Sequence, residues 1–209
     1  MLEVTPLFPI PVAQTVLGRD YTKEELEFIN SNRDESIQNY NSGADIGNHT
    51  SKNYSILDSD VMSGLKKFIE ISLNEYYFQV VGGQPSSSLY ITQSWVNWTD
   101  NQKVHHKHIH PNSIISGVLY INADEYKDEI KFTKSRIDYP LQFTGGVDNS
   151  FSSTSHIFLA KTGILYMFPS TLQHEVPPAE STETRISLAF NTWIRGSVGE
   201  YNHATLLRC

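Results

Sequence analysis

Short runs of β-branched and aromatic residues, separated by turn-forming residues, dominate the second half of the chain. This pattern is typical of β-strands, and no helical periodicity competes with it between residues 86 and 195. The predicted strands are Ser88–Thr99, Ser113–Asn122, Glu129–Thr133, His156–Ala160, Ile164–Phe168, His174–Val176 and Arg185–Arg195. Many short strands in one stretch indicate a sandwich, a jelly roll or a barrel.

The N-terminal part of the chain shows a different pattern. Residues 1–18 are apolar and contain three prolines, which predicts an extended segment at a sheet edge. Thr22 and Glu25 have the spacing of a capping box, which predicts a short helix over Glu24–Ile29. Residues 30–55 are rich in Asn, Ser, Asp and Gly and predict a loop.

A second helix is predicted from the apolar positions of Val61–Val80, which recur with a helical period. Asp58 or Ser59 can cap its start, and the glycine pair at 82–83 ends it. An aromatic and aliphatic stripe with this spacing is typical of a helix that packs on a core.

The length of 209 residues favours a single domain. Within it we expect an N-terminal extended segment and packing helices over 1–85, a β core over 86–195 and a C-terminal tail over 196–209. The net charge is −7 and no basic run is present, which argues against nucleic-acid binding. No apolar run reaches the roughly 18 residues that a membrane span needs.

Cys209 is the only cysteine, so an internal disulfide and a cysteine-rich metal site are excluded. The N-terminus has neither the basic start nor the apolar core of a signal peptide. We therefore expect an intracellular, cytoplasmic protein. The sequence leaves its oligomeric state open.

The most unusual stretch is the histidine cluster at 105–110, which holds four of the eight histidines of the chain. Neutral imidazole is the commonest metal ligand in proteins. On a strand, alternate side chains share a face, so His106, His108 and His110 should point one way and His105 the other. Either His106 with His108 or His108 with His110 can provide half of a metal site.

The missing ligand should lie far along the chain, and His174 is the best candidate. Eleven residues later comes Arg185, which shares a strand face with Ser187. An arginine offers a bidentate fork for a carboxylate, and the serine adds a hydroxyl donor.

This order of residues resembles the Fe(II)/2-oxoglutarate-dependent oxygenases, and more closely a family of 2-oxoglutarate oxygenases related to the prolyl 4-hydroxylases. The resemblance runs from about residue 87 to 195, and its order and spacing are fairly specific only when taken together. Its motifs are Trp95-Val96-Asn97, His108-Ile109-His110-Pro111-Asn112-Ser113, Ser116-Gly117-Val118-Leu119-Tyr120, Phe168-Pro169-Ser170 with His174, Arg185-Ile186-Ser187 and Phe190-Asn191. It implies a mainly β fold with flanking α-helices, a double-stranded β-helix of the jelly-roll, cupin-like type.

The resemblance also implies the cofactors and their ligands. His108, His110 and His174 would hold Fe(II), and Arg185, helped by Ser187, would bind the distal carboxylate of 2-oxoglutarate. Tyr120 would add a hydrogen bond. The implied reaction uses O2 as co-substrate, hydroxylates a C–H bond of a protein side chain or a small metabolite, and releases succinate and CO2.

The sequence departs from the superfamily at one ligand, because Asp or Glu usually stands where this chain has His110. Three neutral imidazoles leave the site one unit more positive, which a dianionic 2-oxoglutarate could offset. Glu175 should face away from the site and is not favoured as the missing carboxylate. The alternatives are a cupin-like three-histidine metalloenzyme that does not use 2-oxoglutarate, and a non-enzymatic jelly-roll binding protein.

Residues 123–155 carry most of the irregular sequence between the strands, including the glycine-containing stretch Gly145–Ser150. Long loops in a compact domain are often functional lids. Lys131, Lys134 and Arg136 beside it form either a solvated face or a surface that reaches the substrate.

Overall fold

The structure is a computed structural model that describes residues 3–39, 41, 46–134, 149, 151–178 and 180–209. Within these residues, twelve strands form two sheets. The strands are β1 (Ala13–Val16), β2 (Ile37–Gln38), β3 (His49–Thr50), β4 (Ser87–Thr99), β5 (His105–His108), β6 (Ile115–Asn122), β7 (Glu129–Thr133), β8 (Ser155–Leu159), β9 (Ile164–Pro169), β10 (Gln173–Val176), β11 (Arg185–Val198) and β12 (Leu207–Arg208). The α-helices are α1 (Lys23–Ser31) and α2 (Ser63–Tyr76). No helix of the described residues has the length and apolar character needed to cross a membrane.

The strands predicted in the second half of the chain are confirmed, each to within three residues at its ends. The predicted N-terminal edge segment contributes β1, which pairs antiparallel with β9. The predicted C-terminal tail also contains β12, which pairs with the end of β11. A two-residue strand is too short to produce a hydrophobic alternation in the sequence.

The larger sheet has the strand order β1-β9-β6-β11-β4-β3-β2, with β12 attached to β11. Its alternate side chains enter two different cores. In β6, Leu119 and Ile121 pack on the helical side, whereas Val118 and Tyr120 pack on the other side. Strand β9 divides in the same way, because side chains of a strand alternate between its faces. Both faces of this sheet are therefore buried.

The helices cover one face of the larger sheet. Their contributions to this core are fully or almost fully buried: Ile29 of α1, Leu65, Ile69 and Leu73 of α2, and Met62 just before α2. They pack on side chains such as Trp98 and Phe190 from the central strands. This confirms the role predicted for the second helix.

The smaller sheet covers the other face, with the order β5-β10-β7-β8. Ile130 and Phe132 of β7 join Tyr120, Tyr166 and Phe168 of the larger sheet in a second core. Two antiparallel sheets that share a core form the predicted jelly roll. The ends of β4, β6, β10 and β11 meet beside this second core, and the candidate site lies there.

Helix α1 begins as its capping box predicts. The Thr22 hydroxyl accepts a hydrogen bond from the Glu25 backbone N–H at 3.1 Å, and the Glu25 carboxylate accepts one from the Thr22 N–H at 2.9 Å. The Glu25 carboxylate also pairs with Arg19 at 2.6 Å. The two reciprocal bonds satisfy backbone donors that have no partner inside the helix.

We expect Thr22→Ala to lower the free energy of unfolding by about 0.5–2 kcal/mol, because the substitution removes the acceptor for the Glu25 N–H. Urea denaturation followed by circular dichroism measures this change. Thr22→Ser keeps the acceptor and should unfold at the wild-type midpoint. An unchanged midpoint in Thr22→Ala would show that the cap contributes nothing to stability.

The start predicted for the second helix is wrong. Residues 56–58 and 60–62 form 3₁₀ turns, and α2 begins only at Ser63, without a side-chain cap. The Asp58 carboxylate instead accepts a hydrogen bond from Lys66 at 2.8 Å. Val61 and Val80, predicted to face the core, are 42% and 43% exposed.

The end of the second helix is closer to the prediction. A π-helical turn follows α2 over Tyr77–Val81, and Gly82 ends it with a φ of 75°. Glycine is also required at the next position, because a Cβ on Gly83 would lie 2.1 Å from the ring of Tyr77.

The loop predicted for residues 30–55 is interrupted by β2 and β3, which extend the larger sheet beyond β4. Asn48, Thr50 and Ser51 belong to this segment. Asn48 and Ser51 are completely buried, and Asn48 and Thr50 donate hydrogen bonds to the Asn97 side chain. The prediction fails because these buried positions are polar and are stabilised by hydrogen bonds, which hydrophobic periodicity does not detect.

Candidate active site

Two histidines face each other across the smaller sheet. Strands β5 and β10 pair antiparallel with His108 opposite His174, and the ring centroids are 4.4 Å apart. Directly opposed residues of an antiparallel pair have neighbouring side chains. The distant histidine of the sequence is thus placed beside the histidine cluster by strand pairing.

His110 reaches the same point by a different route. It lies beyond the end of β5, and its backbone N–H donates a hydrogen bond to the Ser170 carbonyl at 2.9 Å. Its Nε2 is 3.3 Å from Nε2 of His174. His108, His110 and His174 each offer one ring nitrogen, and these nitrogens lie within 4.8 Å of one another.

Backbone carbonyls orient two of the three rings. Nδ1 of His108 lies 2.7 Å from the carbonyl of His106, and Nδ1 of His174 lies 2.9 Å from the carbonyl of Leu172. A carbonyl only accepts, so each Nδ1 carries the proton and each Nε2 keeps its lone pair. Metal-binding histidines are commonly oriented in this way.

The environment keeps these imidazoles neutral. Burial, together with the nearby His108, lowers the pKa of His174 to about 3. The same two causes lower the pKa of His110 to about 4, and burial lowers the pKa of His108. Neutral imidazole is the form that binds metal, so the group is ready to act as a ligand at neutral pH.

Arg185 lines the same cavity and lies at the start of β11, opposite Thr99 of β4. It is 2% exposed. One terminal nitrogen donates to the carbonyl of Glu129 at 3.1 Å and the other donates to the Thr99 hydroxyl at 3.2 Å. Its Nε has no hydrogen-bond partner among the described residues.

The buried charge of Arg185 has no ion-pair partner within the part of the chain that the structure describes. Its hydrogen-bond contacts there are neutral groups; burial lowers its pKa, and the charges of Asp128 and Glu129, neither of which forms an ion pair with it, oppose this shift. A buried cation without a counter-ion is costly. The guanidinium therefore provides a site for an anionic ligand.

Ser187 and Tyr120 face the same cavity from paired positions on β11 and β6. Burial raises the pKa of Tyr120, so its hydroxyl stays protonated and can donate a hydrogen bond. The cavity that they line is partly open to solvent.

Residues 93–191 match the model of a family described as "Putative 2OG-Fe(II) oxygenase". The matched stretch is just under half of the 209-residue chain. The match lies within the predicted β core and contains all six predicted site residues. The description of this family names 2-oxoglutarate (2OG) and Fe(II). A search of curated proteins finds no match to the sequence.

Solved structures share the fold of this chain at low sequence identity. A prolyl-4-hydroxylase from Pseudomonas putida has a TM-score of 0.54 at 14% identity, over 87% of this chain and 92% of its own. The α-ketoglutarate-dependent epimerase SnoN from nogalamycin biosynthesis has a TM-score of 0.61 at 14% identity. The alignment covers 90% of this chain and 81% of SnoN. HygX from Streptomyces hygroscopicus, solved with nickel, 2-oxoglutarate and hygromycin B, has a TM-score of 0.55 at 10% identity. The alignment covers 88% of this chain and 82% of HygX. The likeness confirms the double-stranded β-helix.

The residues of the cavity fit both Fe(II) and 2-oxoglutarate. Three convergent neutral imidazoles suit a divalent transition metal, and the buried Arg185 suits a carboxylate. No carboxylate joins the histidine groups among the described residues. Glu175 instead pairs with Lys107 at 3.7 Å and Lys131 at 3.1 Å, outside the residues that line the cavity.

Trp95, Asn97 and His105 are among the cavity-lining residues that were not predicted as site residues. Trp95 lies 5.7 Å from His110, ring to ring. Both Trp95 and Asn97 belong to a motif of the family resemblance, which is a signal that could have found them. Strand alternation placed His105 on the wrong face, and His106, predicted to share the face of His108, does not line the cavity.

The predictions for the loop region 123–155 can be compared with the structure at only a few residues. Lys131 is held by Glu175, which favours a solvated, ion-paired face at this position. Arg136 lies outside the described residues. So does the predicted lid stretch Gly145–Ser150, except for Asn149.

Proposed function

We propose that this protein is an Fe(II)- and 2-oxoglutarate-dependent oxygenase, a hydroxylase that uses O2 to oxidise a C–H bond of a protein side chain or a small metabolite. His108, His110 and His174 hold the iron through ring nitrogens. Arg185, Ser187 and Tyr120 bind the distal carboxylate of 2-oxoglutarate. The family match and the geometry of the cavity support this proposal.

One observation carries the proposal. A buried guanidinium that makes no ion pair with any described residue lines the same cavity as three imidazoles whose ring nitrogens converge. A structural arginine would have a carboxylate partner, and a purely structural histidine cluster would not need an adjacent anion site. The three histidines and Arg185 together favour a cavity that binds a metal ion and an anion.

When bound, the cofactors would supply the oxidation: 2-oxoglutarate loses CO2 and gains one oxygen atom of O2 to become succinate, and the other oxygen atom goes to the substrate. The protein residues position the reactants and exclude water. Trp95, Val118, Ile130 and Phe168 form apolar parts of the cavity wall. Such walls strengthen electrostatic contacts inside the site.

The three neutral imidazoles change the charge of the site. With His110 in place of a carboxylate, the metal centre is one unit more positive than a site with two histidines and one carboxylate. This extra charge, added to that of Arg185, strengthens the attraction for a dianion such as 2-oxoglutarate. Tight cofactor binding is therefore compatible with the missing carboxylate.

Hydroxylation is tested by supplying the iron-loaded protein with peptide libraries and metabolite extracts under O2. Mass spectrometry should find a product that has gained one oxygen atom, together with an equimolar amount of succinate. The product should be absent with His174→Ala. Relatives with this fold include an epimerase and a carbocyclase. A product formed with succinate but without a new oxygen atom would contradict hydroxylation and still support a 2-oxoglutarate-dependent oxygenase.

A further inference from the structure

His105 is a histidine of the cavity wall that has no role in the proposed function. It is half-buried, and its ring stacks on that of His108, with ring centroids 4.5 Å apart and 25° between the planes. An irregularity in β5 turns it inward, because His174 pairs with His108 and Val176 pairs with His105, so that β5 advances three residues where β10 advances two. One extra residue bends a strand and re-aims its side chains.

The strand register places His105 on the side of the metal histidines that leads to Arg185. Strands β10 and β7 are antiparallel, so the step along β10 from His174 to Val176 leads toward Glu129 at the start of β7. The Glu129 carbonyl accepts a hydrogen bond from Arg185 at 3.1 Å. Because His105 pairs with Val176, it lies toward the arginine from the metal histidines.

The ring nitrogens of His105 form no hydrogen bond with any described residue. Burial and the nearby histidines lower its pKa, and the charge of Arg185 acts in the same direction. The imidazole is therefore neutral, with one N–H that donates and one nitrogen that accepts. Polar groups enclosed by protein are almost always hydrogen-bonded, so a ligand in the cavity is the partner that this N–H calls for.

A ligand that reaches from the metal histidines to Arg185 has to pass the ring of His105. The proposed function places 2-oxoglutarate there, a molecule with a carboxylate at each end. Arg185 is the partner for the distal carboxylate. Because His105 stacks on the metal histidine His108, its ring lies beside the other end of the cavity, where the 2-oxo acid group would bind.

We propose that His105 is a further 2-oxoglutarate-binding residue, whose ring N–H donates a hydrogen bond to the 2-oxo acid end of the molecule while Arg185 binds the distal carboxylate. This role rests on the proposed function and adds a residue to its 2-oxoglutarate position. A neutral donor suits this point of the cavity, because the metal ion and Arg185 already supply positive charge. The hydrogen bond strengthens binding without adding a further buried charge.

The test is an anaerobic titration of the full, untagged, Fe(II)-loaded protein with 2-oxoglutarate, which gives the affinity and the wavelength of the charge-transfer band at saturation. His105→Phe keeps a flat ring against His108 and removes the N–H. It should bind 2-oxoglutarate about tenfold more weakly, because a hydrogen bond to a charged group is lost. Its band should move to shorter wavelength, because the hydrogen bond no longer stabilises the electron-accepting 2-oxo acid group.

Two further variants complete the test. His105→Gln keeps an N–H donor and should recover part of the lost affinity. His203→Ala removes an exposed histidine and is the matched control, which should keep the wild-type affinity and band. The affinity for Fe(II) without 2-oxoglutarate should stay at the wild-type value in all three variants, because the metal group of His108, His110 and His174 is intact.

Circular dichroism checks that each variant is folded, and His105→Leu replaces His105→Phe if the phenylalanine form unfolds. A wild-type affinity and band in the folded variant would overturn the role of His105 and leave the proposed function standing. A loss of Fe(II) affinity that accounts for the whole effect would also overturn it, because His105 would then only pack on His108. So would His105→Gln binding no more tightly than His105→Phe. A wild type that binds Fe(II) but not 2-oxoglutarate would overturn both this role and the proposed function.

Discussion

Arg185→Ala is expected to weaken 2-oxoglutarate binding by at least about thirtyfold, or about 2 kcal/mol. The guanidinium is fully buried, and its Nε has no partner among the described residues, so a bound carboxylate would compensate its charge. Anaerobic titration of the Fe(II)-loaded protein with 2-oxoglutarate measures the effect. Fe(II) affinity in the absence of 2-oxoglutarate should stay at the wild-type value, because the metal group does not include Arg185.

Arg195 offers a matched control on the same strand. It is exposed, and its guanidinium lies 4.6 Å from the ring of Tyr90, outside the cavity. Arg195→Ala should bind 2-oxoglutarate as the wild type does. Equal affinities for Arg185→Ala and the wild type would exclude Arg185 as the carboxylate ligand and favour a metalloenzyme that does not use 2-oxoglutarate.

The second large effect is expected for His174→Ala, which should lower Fe(II) affinity by about a hundredfold and abolish 2-oxoglutarate turnover. The ring of His174 is buried, its Nδ1 is fixed by the Leu172 carbonyl, and its Nε2 faces the other two imidazoles. Anaerobic Fe(II) titration gives the affinity, and succinate formation gives the turnover.

His156→Ala is the control for His174→Ala, because His156 is an exposed histidine on β8 of the same smaller sheet. It should retain wild-type iron binding and turnover. Full turnover in a folded, iron-loaded His174→Ala protein would exclude His174 as a ligand. The metal would then have to be held by residues other than the group of His108, His110 and His174.

The sequence predicted the β core well because most of its strands are long enough to show their pattern. Both faces of the larger sheet are buried, so runs such as Ile164–Pro169 read as strands without ambiguity. The segment from 30 to 55 was harder, because its buried Asn48 and Ser51 are polar. Hydrogen bonding between side chains leaves no periodic signal in a sequence.

The candidate site was predictable where its residues follow the alternation of side chains along one strand. Arg185 and Ser187 lie on one strand and share a face, as alternation requires. His105 was not predictable, because an extra residue in one strand is set by its partner and not by local pattern. His110 lies past the end of β5, where the Ser170 carbonyl binds its backbone and alternation no longer applies.

The most direct test of the account is an anaerobic titration of the Fe(II)-loaded protein with 2-oxoglutarate, followed by visible absorption. The account predicts a charge-transfer band from chelated 2-oxoglutarate that saturates at one equivalent and is lost in both His174→Ala and Arg185→Ala. A protein that binds Fe(II) and never develops the band would contradict it. The histidines would then form a metal site of another kind.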